Sequence, residues 1–471
     1  MQSVPRQFKE LFAIPLRNGL TKPKAVRGAG TKMVNMGELF ANPRIVDVAM
    51  DRVPLNQVER SSSLLAAGDL LFARQSLVLS GAGKCSIFVG DEEDVCFESH
   101  VIRCRLNREL ADSHFYYYFF SSPVGRTLIE SIVEQGAGAS GIRGSDLAEL
   151  SVPWINPTLQ RRVASVLSQI DDKIAVNRRI NQTLEAMAQA IFKSWFVDFD
   201  PVRAKIAAKT EGRDPLRAAM CAISGKAEAQ LDALPPEAFA QLAATAALFP
   251  DEMEESELGE IPKGWTYKAL LQLTDKIGSG STPRGGKEVY LEEGVALIRS
   301  QNVYDGLFVW EGLARISDDA ASQLKGVTVQ ETDVLLNITG ASILRTCMVE
   351  PEALPARVNQ HVAIIRAKAD VPPHFIHLHL LRRDIKSHLL GLNTGGSREA
   401  ITKAHIETLT ILTPTPELLG AFQIATTPIF RQVQRFAHQV RVLGALRDTL
   451  LPKLLSGELP VNALTETTGA A

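Results

Sequence analysis

The chain has 471 residues, of which 45% are hydrophobic and 22% charged, with a formal net charge of −2 at pH 7. That length points to about three domain-sized units, and that balance is ordinary for a folded globular protein. No apolar run approaches the ~20 residues that span a bilayer, the N-terminus with Arg6, Lys9 and Arg17 makes a poor signal peptide, and five cysteines without a Cys-x-x-Cys spacing argue against a zinc site or a disulfide framework.

A cytoplasmic location with reduced thiols is therefore expected. The near-neutral charge is not that of a generic nucleic-acid binder, but it is unevenly spread. Residues 1–32 hold seven Lys/Arg against one acid, while 251–260 hold six acids. A local basic patch, not the whole-chain charge, is what meets phosphates.

In chain order, residues 1–155 read as short β-rich runs, such as Ser86-Ile87-Phe88-Val89 and His100-Val101-Ile102-Arg103-Cys104-Arg105-Leu106, followed by a helical patch at 113–134. Residues 156–200 carry a helical seam: Val163, Val166, Ile170, Ile174, Ile180, Leu184, Met187, Ile191 and Trp195 recur mostly three or four apart. Residues 201–258 are Ala-, Pro- and Glu-rich and read as a connector with one or two short helices. Residues 259–415 repeat the β-rich order, and 416–459 repeat the seam through Phe422, Ile429, Val433, Phe436, Val440, Leu443, Leu450 and Leu454. The tail, 460–471, is small and polar.

The two halves align at an offset of about 260 residues. Gly68-Asp69-Leu70-Leu71 falls over Thr332-Asp333-Val334-Leu335, His114-Phe115 over His374-Phe375, and Pro157-Thr158-Leu159 over Pro416-Glu417-Leu418. A period this long describes whole domains, not the units of a solenoid. The seams are of coiled-coil type, each a rod of roughly 55 Å at ~1.5 Å per residue. The expected fold is mixed α/β (α+β): two similar globular domains separated by two long antiparallel coiled-coil helices, in a pseudo-two-fold internal repeat. Pro428 is expected to break or kink the second rod, which would effectively start there. Asn177 faces Phe436 in the repeat register and has two readings, a buried residue fixing the pairing or a solvated one on the helix flank.

Enzyme chemistry finds no anchor. Gly81-Ala82-Gly83-Lys84-Cys85 lacks the leading glycine and the following Ser/Thr of a P-loop, and reads as a glycine-rich loop between strands. There is no Gly-x-Ser-x-Gly elbow. The glycine loop of an S-adenosylmethionine site and the Asn/Asp-Pro-Pro-aromatic loop of a DNA methyltransferase are also missing. Asp171-Asp172-Lys173 falls on the first seam, where a solvated charged face is the natural reading. His374, His377 and His379 lack an acidic ligand at helical spacing and read as surface or satisfied histidines.

Three segments carry a family resemblance. The first is Gln169-Ile170-Asp171-Asp172-Lys173-Ile174 continuing through Asn177, Asn181 and Leu184 to Ile191-Phe192-Lys193-Ser194-Trp195-Phe196-Val197-Asp198-Phe199-Asp200-Pro201. The second is Glu257-Leu258-Gly259-Glu260-Ile261-Pro262-Lys263-Gly264-Trp265, and the third is Leu446-Arg447-Asp448-Thr449-Leu450-Leu451-Pro452-Lys453-Leu454-Leu455-Ser456-Gly457-Glu458-Leu459. In this order, on a duplicated chain, they resemble the specificity subunits of type I restriction–modification systems.

The resemblance implies that 1–155 and 259–415 are target-recognition domains reading the two halves of a split double-stranded DNA target. It implies that the paired helices set the half-site spacing and dock two modification (methyltransferase) subunits, with restriction (translocase/nuclease) subunits joining them. It implies no catalysis and no cofactor in this chain; S-adenosylmethionine, ATP and Mg would belong to the partners. Phosphate contacts call for Lys/Arg in loops, and base contacts for Arg, Asn and Gln. The candidate DNA-binding residues are Lys22, Lys24, Arg27, Arg74 and Arg143 in the first domain, with Arg284, Lys287, Arg299, Arg345 and Arg398 in the second. Arg143 and Arg398 lie near glycine-rich turns at nearly matching repeat positions. Trp195, Phe196 and Phe199 read either as a docking patch for a modification subunit or as internal packing. The rival readings are a non-catalytic coiled-coil scaffold that reads no DNA, and a diverged DNA methyltransferase or nuclease.

Overall fold

The computed structural model describes residues 3–136, 138–284, 286–392 and 400–459. It divides into two compact units, one of residues 1–179 and 437–471 and one of residues 180–436. In each unit a β-rich domain packs on segments of the two long helices.

In the first unit, the strand Asp69–Ala73 is buried along its whole length and lies at the centre of a five-stranded sheet. The run Leu70-Leu71-Phe72-Ala73 has no polar alternation, as expected of a strand covered on both faces. Val101–Leu106 and then Phe12–Asn18 lie on one side of it, Cys85–Gly90 and then Arg44–Val46 on the other. A second layer pairs Thr31–Val34 antiparallel with Asp51–Val53 and parallel with Val95–Phe97. The first strand, Val4–Gln7, pairs antiparallel with the last, Ser151–Trp154, closing the domain just before the helix Pro157–Phe196 begins.

The second unit repeats this plan. Its sheet runs Thr274–Ser279, Val362–Ala367, Val334–Asn337, Thr346–Met348. Val295–Ile298 pairs antiparallel with Ala314–Ile316 and parallel with Ala356–Val358. Thr266–Ala269 pairs with Thr410–Thr413 just before the helix Pro416–Ser456.

The repeat reaches individual bonds. Arg105 donates to Asp69 from Nε and Nη2, both at 2.7 Å, and Arg366 donates to Asp333 in the same way at 2.7 and 2.8 Å. Both carboxylates are fully buried. Each also accepts from the backbone three residues upstream, Ala66 N–H in one copy and Gln330 N–H in the other. Gly19 and Gly280 occupy the same tight passage: a Cβ would lie 2.1 Å from the Phe97 carbonyl oxygen at the first and 1.7 Å from that of Val358 at the second. Only glycine lets the backbones approach so closely.

The long helices are shared between the units and are part of the domain cores. Val163, Ala164 and Leu167 join Phe8, Phe72 and Phe120 in the first core, together with Leu451 and Leu454. Within the first unit the two helix segments run antiparallel, since Asp171 bonds Arg447 and Asn177 bonds Gln439. In the second unit Asn181 donates to the Val433 carbonyl in the same sense. Asn177 is fully buried, so the buried reading of this residue holds.

Three expectations are corrected. Pro428 does not interrupt the second helix, which is continuous over Pro416–Ser456. The proline sits on the exposed side, and the N–H it lacks would have met the carbonyl of Ile424, a residue on the same exposed side, where a missing donor costs less than in the core. Asp171 is not a solvated charge: it is 8% exposed and accepts from Tyr118 Oη (2.7 Å) and Arg447 Nη1 (2.8 Å). Asp172 pairs with Arg44 at 2.8 Å. Finally, the connector holds four helices, Asp200–Thr210, Pro215–Ser224, Glu228–Leu231 and Pro236–Ala247, rather than one or two. Ala219, Met220, Leu231 and Ala246 give it a small core of its own.

Candidate nucleic-acid interface

In each domain the central strand ends in a loop that borders a polar cleft. In the first, the Arg74 N–H donates to the His100 carbonyl, and the Arg74 carbonyl accepts from Ile142 N–H. In the second, Ile338 makes both bonds, with His361 and Ile401. The frame thus fixes where each loop leaves the sheet, and the side chains on it differ.

The first cleft, about 480 Å³, is lined by Asn18, Arg74, Gln75, Glu134, Gln135, Ser140 and Arg143. The two-residue strands Glu134–Gln135, Ser140–Gly141 and Gln75–Ser76 form a small ribbon beside it. Arg143 pairs with Glu134 at 2.7 Å, with side chains 67% and 55% exposed. An ion pair that wet contributes at most about 1 kcal/mol, so the guanidinium is readily surrendered to a phosphate or a base edge. Arginine matches guanine O6/N7 bidentately, and Gln and Asn match adenine N6/N7. The cleft thus holds residue types that can hydrogen-bond base edges, beside one carboxylate, Glu134.

The second cleft, about 460 Å³, is lined by Ser300, Gln301, Thr339, Ser342, Arg345 and His361. The Arg345 guanidinium lies over the Tyr304 ring, 4.3 Å from its centroid. Lys84, at the matching position of the first copy, stands 5.3 Å over Phe40 and donates to its carbonyl. Burial pulls the Lys84 ammonium below the usual lysine range. His361 is held between Thr339 Oγ1 at 2.6 Å and the Gln360 amide at 3.0 Å.

The candidate cations from the sequence divide into three sets. Arg74 and Arg143 share the first cleft, and Arg345 lines the second. Lys24 and Arg284 are exposed on their loops. Lys22, Arg27 and Arg299 are engaged within the fold. Lys22 donates to Glu59 and holds that carboxyl below the usual range. Arg27 binds Asp51, Asn35 and the Lys22 carbonyl, and Arg299 binds the Gly312 carbonyl. Lys287 falls in the 3-10 turn Gly286–Val289, with its side chain outside the described residues. Arg398 lies outside the described residues altogether. The bonded counterpart of Arg143 is Thr402, because Ile142 and Ile401 make equivalent bonds.

Sequence reasoning missed Asn18, Gln75, Gln135, Gln301 and His361. Asn18, Gln75 and Gln135 lie at strand ends or in two-residue strands, Gln301 in a short 3-10 turn and His361 in a turn, none of which leaves a periodic signal. The docking patch is also corrected: Trp195 and Phe196 are 3% and 1% exposed, packed on Phe249, Phe375 and Phe422, and Phe199 packs on Trp265. Trp195 and Phe196 are therefore core rings, as the internal-packing reading has it, while Phe199 is partly buried at the edge of that core.

The three histidines are mostly buried and incompletely bonded: His374 is partly exposed, and His377 keeps one bond, from Nε2 to the Thr346 carbonyl at 3.4 Å. His377 and His379 are 5% and 1% exposed; Nδ1 of His374 and His377 and both ring nitrogens of His379 have no hydrogen-bond partner. Burial pushes them down to about 3 for His374, about 4 for His377 and about 3 for His379, so the rings pack as neutral aromatics. His374 stacks on Phe430 at 3.5 Å, and His379 meets the edges of Phe192 and Phe375. Among the described residues no group of His, Cys, Asp and Glu is placed to hold a metal ion, and no helix is long and apolar enough to cross a membrane.

Comparison with known proteins agrees with this geometry. Residues 3–186 match the family of the type I restriction modification DNA specificity domain. The type I restriction enzyme HindI specificity subunit of Haemophilus influenzae is 28% identical over 413 residues, covering 85% of this chain and 88% of that protein. The MjaIX specificity subunit of Methanocaldococcus jannaschii is 26% identical over 355 residues, covering 75% of this chain and 70% of that protein. In fold, the chain is similar to the crystal structure of a type I restriction–modification system S subunit from M. genitalium, with a TM-score of 0.56 over 96% of this chain and 99% of that one, at 14% identity. With its duplicated frame and paired polar clefts, the chain is similar over most of its length to specificity subunits of type I restriction enzymes, and its residues 3–186 match their DNA specificity domain.

Proposed function

We propose that this chain reads a bipartite double-stranded DNA target, one half-site in the cleft of each domain, and brings that target to modification (methyltransferase) and restriction (translocase/nuclease) subunits. The observation that supports it best is the pair of clefts. They leave the same strand of the same bonded frame, yet one presents Arg74, Gln75 and Arg143 and the other Gln301, Arg345 and His361. A duplicated frame with diverged polar loops suits two different base sequences.

In this reading residues 1–155 and 259–415 are the two reading domains, and the chain itself performs no chemistry. S-adenosylmethionine, ATP and Mg are held by its partners, and the assembly works in the cytoplasm. Two modification subunits dock equivalently because the copies are related by a repeat. The test is to replace residues 1–155 with the matching segment of another specificity subunit and map the adenines modified by the reconstituted complex. One half-site is expected to change while the other stays as it was. A change in both, or methyl transfer by the purified chain alone, overturns the proposal.

A further inference from the structure

The loop after the central strand is three residues longer in the first copy. The same backbone bonds close it in both. Gly83 N–H donates to the Ala73 carbonyl and Leu344 N–H to the Asn337 carbonyl, each at 2.8 Å. Both closing residues are left-handed, with φ of +67° at Gly83 and +63° at Leu344. Nine residues lie between the bonded ends in the first copy and six in the second. The first loop carries Leu77-Val78-Leu79, with side chains 89%, 61% and 47% exposed. The tip of the second carries only Gly340 and Ala341.

This exposure belongs to a tethered loop. Ser76 Oγ accepts from Val78 N–H at 3.2 Å, Gly81 N–H donates to the Val78 carbonyl at 3.0 Å, and Ala82 N–H donates to that of Leu79 at 3.2 Å. The Arg126 guanidinium donates to the Ser80 carbonyl at 2.9 Å, and Gly81 and Ala82 are buried beneath the tip. The fold therefore holds three adjacent large apolar side chains out in water, at the point where the chain leaves the arginine-bearing cleft through Gln75 and Ser76. A contiguous apolar patch rimmed by polar groups marks a contact surface.

The rim selects the partner. Arg74 and Arg143 call for an anionic surface, while the tip calls for apolar groups set within it. The major groove of a duplex offers both, phosphates along its edges and the thymine C5 methyl on its floor. We propose that Leu77-Val78-Leu79 enters the major groove of the first half-site and packs on thymine methyls, so that the first domain reads A·T pairs by apolar contact and the second does not. This rests on the reading of 1–155 as a DNA-reading domain.

The test uses the reconstituted complex and the duplex identified by adenine mapping, with thymines replaced by deoxyuridine in one half-site at a time. That change removes only the methyl groups. Wild type should bind the uracil duplex about four-fold more weakly for each methyl contacted, the equivalent of ~0.8 kcal/mol per buried carbon. The loss should be confined to the half-site assigned to the first domain by exchange of 1–155. A Leu77→Ser, Val78→Ser, Leu79→Ser variant should bind thymine and uracil duplexes equally. Indifference of wild type to uracil in that half-site overturns the proposal, as does absence of thymine from it or a triple variant that keeps the wild-type ratio. Loss of all sequence preference by the wild-type complex would instead overturn the DNA reading itself.

Discussion

In the first domain Asp69 grips Arg105 through both carboxylate oxygens, and 264 residues later Asp333 grips Arg366 in the same way. Between those clamps and the loops they support, the two copies part. The first loop adds Leu77-Val78-Leu79 and is backed by Arg74, while the second is short and is backed by Ile338. The helix packed against the sheet differs as well: Tyr117 and Phe119 in the first copy correspond to His377 and His379 in the second. What stays the same is buried and fully bonded, and what differs either faces solvent or fills space with few hydrogen bonds, as His379 does with none and His377 with one.

If the clamp is the shared frame, breaking it should hurt both copies alike. Asp69→Asn and Asp333→Asn each leave a half-buried guanidinium without its charge partner, a loss of about 3–5 kcal/mol for a buried pair. Both variants should melt well below wild type, and hydrogen exchange should localise each loss to its own unit. A small effect at one site and a large one at the other would show that the two frames differ in kind.

The helix comparison predicts an acid asymmetry. His374, His377 and His379 are held at about 3 to 4 in the fold, against an ordinary value near ~6.5. Below that ordinary value the unfolded chain takes up protons that the folded chain refuses, so stability falls as pH falls from about 6.5 toward 4. The slope is about 1.4 kcal/mol per histidine for each pH unit. Between pH 6.5 and 5 the second unit should therefore lose exchange protection before the first, where His114 is the one histidine held below its ordinary range. His379→Phe should flatten that slope. An unchanged slope would mean that these rings are not the source.

Much of this frame was legible in the sequence because it rests on local pattern. The 3.6-residue seams gave the first long helix to within a few residues and the second apart from the break expected at Pro428, and the offset of about 260 gave two copies. The clefts were only partly legible. Arg74 was named as a candidate by residue type and Arg143 also by its glycine-rich turn, whereas Gln75 and Gln135 meet only through the pairing of two-residue strands, which leave no periodic signal. Trp195 and Phe196 misled because an aromatic cluster at a helix end reads the same whether a partner or its own domain covers it. Pro428 misled because its cost depends on which side of the helix faces water.

The finest distinction lies within one loop. Lys22 and Lys24 are two residues apart and chemically identical, yet Lys22 is committed to Glu59 and Lys24 is exposed. A committed lysine contributes to the fold, and an exposed one is available to phosphate. Lys24→Ala should leave the melting temperature unchanged, weaken DNA binding by the complex about equally on all sequences, and reduce the slope of log affinity against log salt by about 1. Arg284→Ala should do the same from the second domain. Lys22→Ala should lower stability and leave the salt slope as it was, because the ammonium already has its counterion in the folded chain. If Lys22 and Lys24 shift the slope equally, the Lys22–Glu59 pair opens on DNA and both lysines belong to the phosphate contact.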